Sequence, residues 1–266
     1  MLVLQYNTKI YNLLYKPYIE VDSDIFLPLY TKTGVVKNGI GVDTGDNISN
    51  KNSLYSEYSY FYWVWKNTEL PDSVGFFHYR RHLSFKESII DCNNKLDAID
   101  EYGWREEIIN DIAKEYDIIL PKPLNLSLYG FRDIEHNYCA FHNIPCINEA
   151  ISHIYNNYPE YMVDIYYTLK SPYLYTNNIF IMKKHIFEDY IKWTMSIFEH
   201  IESKIDLSNN NKPEFGYIGE RLLTFYINHV KRTTNLKIIE KPIIFIYEDP
   251  IKFEVSNNKV LPGRKI

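Results

Sequence analysis

The sequence predicts an α/β protein with helical insertions, because short apolar strands alternate with amphipathic helices along the chain. Three stretches carry that expectation. Val74–Phe77 is an apolar run that switches abruptly into His78-Tyr79-Arg80-Arg81-His82. Asn177-Asn-Ile-Phe-Ile-Met182 is a second buried strand, with two amides at its entrance. His185–Lys204 is the longest helical stretch, with Ile186, Tyr190, Trp193, Ile197 and Ile201 on one stripe.

In chain order, Leu2–Gln5 is expected as a short strand and Ile25–Leu29 as a second apolar patch. Pro17 holds Lys16–Val21 extended, since the residue before a proline avoids the helical region. Residues 31–54 carry four glycines and many Asn, Asp, Ser and Thr, and predict a long loop. Tyr55–Lys66 reads as a helix with Tyr58, Tyr62 and Trp65 on one face, capped by Asn52 or Ser53. Pro71-Asp72 turns the chain into Val74–Phe77. Trp104–Glu115 predicts an amphipathic helix with Ile108, Ile109 and Ile112 inward, and Asp117–Leu120 a strand stopped by Pro121 and Pro123. Residues 124–145 read as irregular. Ile147–Tyr155 and Pro159–Leu169 read as helices, the second opened by its proline. Phe215–His229 is a further helix, containing Gly219-Glu220-Arg221-Leu222, and Ile238–Ile239 and Ile243–Tyr247 are late strands before a solvated tail. With no repeat and no clear linker, residues 1–266 are expected as one domain with helical insertions.

Composition narrows the partners. At 45% hydrophobic and 24% charged, the chain has the apolar content of a folded domain. A net charge of −5 gives no basic excess for nucleic acid. The 25 tyrosines suit flat polar ligands such as sugars and bases, and equally follow from an AT-rich coding sequence. Cys92, Cys139 and Cys146 lack metal-type spacing and read as free thiols in a reducing cytoplasm. No signal peptide is evident, and no apolar run approaches the ~18–20 residues that span a bilayer. Contact with a membrane, if made, is expected to be peripheral.

Four clusters compete as sites. His78, Arg80 and Arg81, with Tyr79 between them, end a strand where guanidinium forks suit a diphosphate, although alternation sends the two arginines to opposite faces. A surface ion-pair cluster is the plainer alternative. Asp43, Asp46, Asn47, Ser49 and Asn52 form a loop of oxygen donors and acceptors that lacks the pattern and closing glutamate of a calcium loop. Glu220 beside Arg221 offers a general base or merely a solvated helix face. His136 and His142 are six apart with no third ligand at helical spacing, which argues against zinc. There is no glycine-rich dinucleotide or phosphate loop, no nucleophile elbow and no HExxH.

Six blocks come in one order: Asp43-Thr-Gly-Asp-Asn-Ile-Ser-Asn-Lys-Asn52, Tyr55-Ser-Glu57, Tyr62-Trp-Val-Trp-Lys-Asn67, Gly75-Phe-Phe-His-Tyr-Arg-Arg81, Asn178-Ile-Phe-Ile-Met182 and Gly219-Glu-Arg-Leu222. Together they resemble a bacterial family of capsular polysaccharide and lipopolysaccharide biosynthesis proteins, long catalogued as a domain of unknown function and including galactofuranosyltransferases. The resemblance implies a GT-A-like, Rossmann-related mixed sheet, with a hexosyl unit moving from a UDP-sugar to a hydroxyl of a lipid-linked glycan at the inner face of the plasma membrane. It implies donor contacts from Asp43, Asp46, Asn47, Ser49, Glu57, His78, Tyr79, Arg80 and Arg81, an acceptor side at Asn177 and Asn178, and Glu220 as base oriented by Arg221. It implies residues 1–125 as the nucleotide-sugar-binding half and 126–266 as the acceptor and helical half of a single domain, with Tyr62 and Trp65 in the core behind the site. Such folds place Asp-x-Asp at the strand end; here His78-Tyr-Arg-Arg81 stands there, so the arginines are expected to replace the divalent metal. Asp43 and Asp46 keep Mn²⁺ or Mg²⁺ open as an alternative. Galactofuranose transfer favours inversion. A non-catalytic glycan-binding protein of polysaccharide assembly is the alternative from another class, and a glycoside hydrolase using Asp46 and Glu220 is a third.

Overall fold

A computed structural model describes residues 6–14, 25–31, 40–87, 90–207, 212–248 and 250–256. The expected segments Leu2–Gln5 and Lys16–Val21 lie outside the described residues.

The first half supplies β1 (Thr8–Leu14), β2 (Phe26–Tyr30), β3 (Ile40–Gly41), the single turn α1 (Asn52–Tyr55), α2 (Glu57–Asn67), β4 (Ser73–His78), β5 (Arg81–Leu83), α3 (Lys95–Glu101), α4 (Glu106–Glu115), β6 (Ile118–Pro121) and β7 (Leu124–Asn125). The second supplies α5 (Ile134–Phe141), α6 (Ile144–Asn157), α7 (Met162–Leu169), β8 (Tyr173–Leu174), β9 (Phe180–Lys183), α8 (Lys184–Lys204), α9 (Glu214–Thr233), β10 (Ile238–Lys241), β11 (Ile243–Glu248) and β12 (Ile251–Ser256). The main sheet runs β10-β6-β9-β4-β1-β2-β3. All neighbours along it are parallel except β9, which is antiparallel to both β4 and β6. The mixed α/β sheet is therefore as expected, and the two halves share it, because β9 is inserted between strands of the first.

Strand alternation divides the core. Tyr11, Leu13, Val74 and Phe76 face a cluster built with α2, α6, α8 and α9. Ile10, Phe77 and Ile181 face the opposite layer, with Trp104, Ile109 of α4 and residues of β5, β11 and β12. Strands buried on both faces read as continuous apolar runs, which is why Val74–Phe77 was conspicuous.

Several boundaries differ from the sequence reading. The predicted helix Tyr55–Lys66 is broken at Ser56, whose φ of 51° and ψ of −126° lie outside the helical region. Neither Asn52 nor Ser53 caps it; the Asn52 amide instead donates to the Ser56 carbonyl and to Ser59 Oγ. On α2 the buried face is Tyr58, Phe61 and Val64, with Tyr62 and Trp65 only partly covered. Residues 124–145, read as irregular, contain α5, whose N-terminus is capped by Asp133 accepting from the His136 N–H at 2.7 Å. Part of the expected tail is β12, paired antiparallel with β11.

Candidate functional site

In a parallel sheet all the carboxyl ends lie on one edge, and this edge is where open α/β proteins bind ligands. Here it presents Leu13 and Leu14 of β1 beside His78 of β4. Because β9 runs the other way, the turn before it, Asn177-Asn178, emerges on the same edge. Both asparagines take left-handed φ values, 71° and 51°, a conformation that asparagine tolerates better than most residues. Helix α9 brings Gly216, Tyr217, Glu220 and Arg221 to the same place.

Two cavities open there. One, of about 340 Å³, is lined by Leu13, Asn52, Ser53, Ser56, Glu57, Tyr60, His78 and Pro213. The other, of about 290 Å³, is lined by Arg81, Leu124, Leu126, Asn137, His142, Leu174, Thr176, Asn177, Tyr217, Glu220 and Arg221. They meet at a ridge where Arg81 Nη1 lies 3.3 Å from His78 Nδ1. Behind the ridge the Asn178 amide donates to the Gly216 carbonyl at 3.0 Å and more weakly to Glu57 Oε2 at 3.4 Å, while its oxygen accepts from Tyr58 Oη at 3.2 Å.

Glu220 sits on the floor of the second cavity with its side chain 18% exposed. Oε1 accepts from the Asn177 N–H at 2.6 Å and Oε2 from Arg221 Nη1 at 3.0 Å. Burial raises its carboxyl above the ordinary carboxylate range, with Glu57 adding to the rise; Arg221, the Asn177 N–H and Arg81 oppose it. Arg221 is 2% exposed and donates as well to the Tyr217 carbonyl at 3.0 Å and to Asn137 Oδ1 at 2.5 Å. Burial lowers its pKa, Glu220 opposes that, and a guanidinium stays charged. The His142 ring packs tilted against Tyr217, centroids 4.3 Å apart, and burial beside Arg221 and Lys212 pushes its pKa down to about 3.

The structure thus brings together Glu57, His78, Arg81, Asn177, Glu220 and Arg221. Other expected site residues are corrected. Tyr79 is 1% exposed in a small core with Leu14 and Tyr30, so it packs rather than binds. Arg80 is exposed over the Tyr79 ring, its Cζ 4.8 Å from the centroid, and lines neither cavity. Asn178 is 3% exposed and pins Gly216 beside Glu57 rather than lining an acceptor surface. Asp46 accepts from Tyr62 and its backbone is clasped by Asn67, towards the end of α2 remote from Glu57. Ten helical steps lead from Glu57 to Asn67, a rise of roughly 15 Å. Asp46 lines neither of the two cavities, so it does not share one with Glu220. Asn47 is turned onto Gly45 and Ser49, and Asp43 is exposed on the same loop.

Sequence reasoning missed Asn137, Thr176 and Tyr217. The cap at Asp133 was the available signal for α5 and hence for Asn137. Tyr217 stands three residues before Glu220 on a helix and so shares its face.

The DUF4422 family, described as a domain of unknown function, matches residues 9–232. The chain belongs to that family. A solved structure described as the apo form of the WbbM bifunctional glycosyltransferase superposes with a TM-score of 0.82 at 32% identity. The match covers 97% of this chain and 47% of WbbM, so the chain spans about half the length of that protein. No curated protein matches. Among the described residues no helix is long and apolar enough to cross a membrane.

Proposed function

We propose that this DUF4422 member is a glycosyltransferase of the GT-A-like type that moves a hexosyl unit, galactofuranosyl in one version, from a UDP-sugar to a hydroxyl of a lipid-linked surface glycan. One observation carries the reading: at the carboxyl edge of a sheet shared with a glycosyltransferase, two cavities meet at a His78–Arg81 ridge, with Glu57 on one side and Glu220 on the other.

The cavity beside β1 and α2 takes the nucleotide and the ridge takes the diphosphate. The cavity over Glu220 takes the acceptor. The acceptor oxygen attacks the anomeric carbon as its proton passes to the Glu220 carboxylate. The bond from that carbon to the diphosphate oxygen breaks, and its electron pair leaves on the nucleoside diphosphate. Attack opposite the leaving group inverts the anomeric centre. Arg81 and His78 stabilise the charge that develops on the departing oxygens, where a fixed cation is most effective.

A divalent metal is the other common means of neutralising that charge. The donor set at the ridge does not fit one. An arginine, which repels a cation, stands beside the ridge histidine; among the described residues no three His, Cys, Asp or Glu side chains gather to hold a metal, and the Glu220 carboxylate is already paired with Arg221 and the Asn177 N–H. Asp46 is spent on Tyr62 at the other end of α2.

A melting screen against UDP-, GDP-, CMP- and TDP-sugars, with and without Mn²⁺, tests this. A ligand at 100 times its Kd stabilises the folded state by about 2.7 kcal/mol. UDP-sugars are expected to raise the melting temperature equally with and without Mn²⁺. A shift that requires Mn²⁺ overturns the metal-free version. No shift with any nucleotide overturns the transferase reading in favour of a glycan-binding protein.

A further inference from the structure

Glu220 and Arg221 are neighbours on α9, and successive residues of a helix project about 100° apart. Their contact is therefore not a product of helix geometry. Glu220 turns towards the Asn177 N–H, whereas Arg221 enters the space between α9 and α5. There its Nη2 donates to Asn137 Oδ1 at 2.5 Å, and its Cζ stands 5.2 Å from the centroid of the Tyr138 ring. Its Nη1 reaches back to Glu220 Oε2 and to the Tyr217 carbonyl. A guanidinium is planar and rigid, so an acceptor on each terminal nitrogen fixes its plane. The two ties on Nη1 come from α9 itself; the tie on Nη2 comes from another helix. Asn137 is 1% and Arg221 2% exposed, which leaves little water to replace that tie.

The charge at position 137 matters as much as the oxygen. An arginine has hydrogens only to offer, and asparagine accepts one without bringing a negative charge. The guanidinium already stands in the field of two carboxylates, Glu220 and Glu214. Glu214 is buried and accepts from Tyr138 Oη at 2.8 Å and from the Asn143 N–H at 3.1 Å. A third carboxylate would divide the same cation again, in surroundings where charges act strongly on one another.

We propose that Asn137 is a positioning residue for Glu220: its oxygen holds the Arg221 guanidinium against the Glu220 carboxylate, and its neutrality leaves that charge to Glu220. The inference deepens the transferase reading and rests on it for what Glu220 does. The other groups acting on Glu220 come from several elements. They are Glu57 and Tyr58 of α2, Arg81 of β5, the Asn177 N–H before β9 and Tyr217 of α9, while the neutral His142 lines the same cavity. Glu57 opposes ionisation of Glu220, and Arg81 and the Asn177 N–H favour it. Substitution at 137 leaves all of these in the sequence.

Carbon-13 NMR of the glutamate side-chain carboxyls across pH tests the proposal on the intact chain without substrate, with Glu220 assigned as the signal that Glu220→Gln removes. Asn137→Asp keeps an oxygen for Arg221 and adds charge, and is expected to move the Glu220 midpoint upward by about one unit or more. Asn137→Ala, favourable in a helix, removes the oxygen. It is expected to move the midpoint upward as well, by less, because the loosened guanidinium supports the carboxylate less. A merely structural asparagine would lower the melting temperature of either variant and leave the midpoint in place. An unmoved or lowered midpoint in a folded variant overturns the proposal; should Asn137→Asp not fold, Asn137→Ala decides alone. A raised midpoint in a protein that UDP does not stabilise supports the hold on Glu220 and defeats the transferase reading beneath it. An unmoved midpoint beside a UDP melting shift overturns the hold alone.

Discussion

Glu220 is the residue on which the proposed chemistry turns, and its surroundings fix what substitution does. A base must be ionised to accept the acceptor proton, and burial holds this carboxyl above its ordinary range. Activity is therefore expected to fall as the pH drops through that raised value, giving kcat/KM an acid limb above the ordinary glutamate range. Glu220→Gln keeps a group able to accept from Asn177 and Arg221 but removes the base. It is expected to lower kcat by about 10²–10⁴, the usual worth of general base catalysis, and to abolish the acid limb while the UDP melting shift persists. Steady-state kinetics across pH check both; a limb that survives in Glu220→Gln assigns it to another group. The arginines make a sharper contrast. Arg81 lines a cavity and touches His78, whereas Arg80 lies over Tyr79 in solvent. A charge-assisted hydrogen bond is worth about 1.5–3 kcal/mol, so Arg81→Ala is expected to cost roughly 10–100-fold in kcat/KM. Arg80→Ala is expected to change it less than about three-fold by the same scale, since exposed charges contribute little. Equal losses in the two variants would remove the ridge as the diphosphate contact.

At the scale of elements, the site depends on how closely α9 approaches α2. Gly219 has no side chain because Tyr58 occupies the space: a Cβ there would stand 2.6 Å from the ring Cζ and hydroxyl. Tyr58 in turn hydrogen-bonds Tyr190 at 2.6 Å and Asn178, so the glycine lets a buried tyrosine pair support the turn that presents Asn177 to Glu220. Gly219→Ala forces α9 away or tilts the Tyr58 ring. Overpacking of this kind costs about 1–3 kcal/mol. The variant is expected to melt lower and to lose transfer activity beyond what its reduced stability explains at 25 °C, because the Asn177–Glu220 contact shifts with the helix. Calorimetry beside kinetics separates the two effects. If activity per folded molecule is unchanged, the support role of Tyr58 is wrong. Ser56, between α1 and α2, takes a backbone conformation costly for a residue with a side chain, and it lines the nucleotide-side cavity. That break was hidden in the sequence, because the aromatic periodicity of Tyr55–Lys66 continues through it and nothing marks Ser56 as anything but a helix residue.

Across the whole molecule, periodicity and strand-end polarity made most of the fold readable: β4, β6, β9, β11 and the long helices all stand where their apolar patterns place them. Half of the candidate site was readable for the same reason, since His78, Arg81 and Glu220 interrupt apolar stretches. The remainder was set by tertiary contact. Nothing local shows that Asp46 is claimed by Tyr62, that Tyr79 turns inward, or that Asn137 reaches across to Arg221. His82 was part of the polar cluster that first drew attention, yet it is fully buried among Phe26, Phe77 and Trp104, with Asn12 Nδ2 3.3 Å from its Nε2. That burial lowers its pKa to about 3, against an ordinary 6.5. A histidine whose folded pKa is depressed stabilises the fold fully above the unfolded value, and that stability is lost as the pH falls through the window from about 6.5 towards about 3. Each pH unit is worth about 1.4 kcal/mol, so the loss reaches a few kcal/mol, a large share of the roughly 5–15 kcal/mol that holds a domain together. His142, lowered to about 3 and partly exposed, acts in the same direction with a smaller effect. Asp117, Asp133 and Asp164 have pKa values below the ordinary 3.8 and lose their contributions only in stronger acid. The protein is therefore expected to lose thermal stability between pH 6.5 and 4.5, before Asp117, Asp133 and Asp164 titrate; Glu220, whose raised carboxyl takes up its proton earlier in the fold than in the unfolded chain, acts in the opposite sense and offsets part of the loss. His82→Phe, whose ring suits the same aromatic cage, is expected to flatten that slope whatever it does to the melting temperature at pH 7. A wild-type melting temperature constant from pH 7 to 4.5, or an unchanged slope in the variant, would show that His82 opens to water before the fold does.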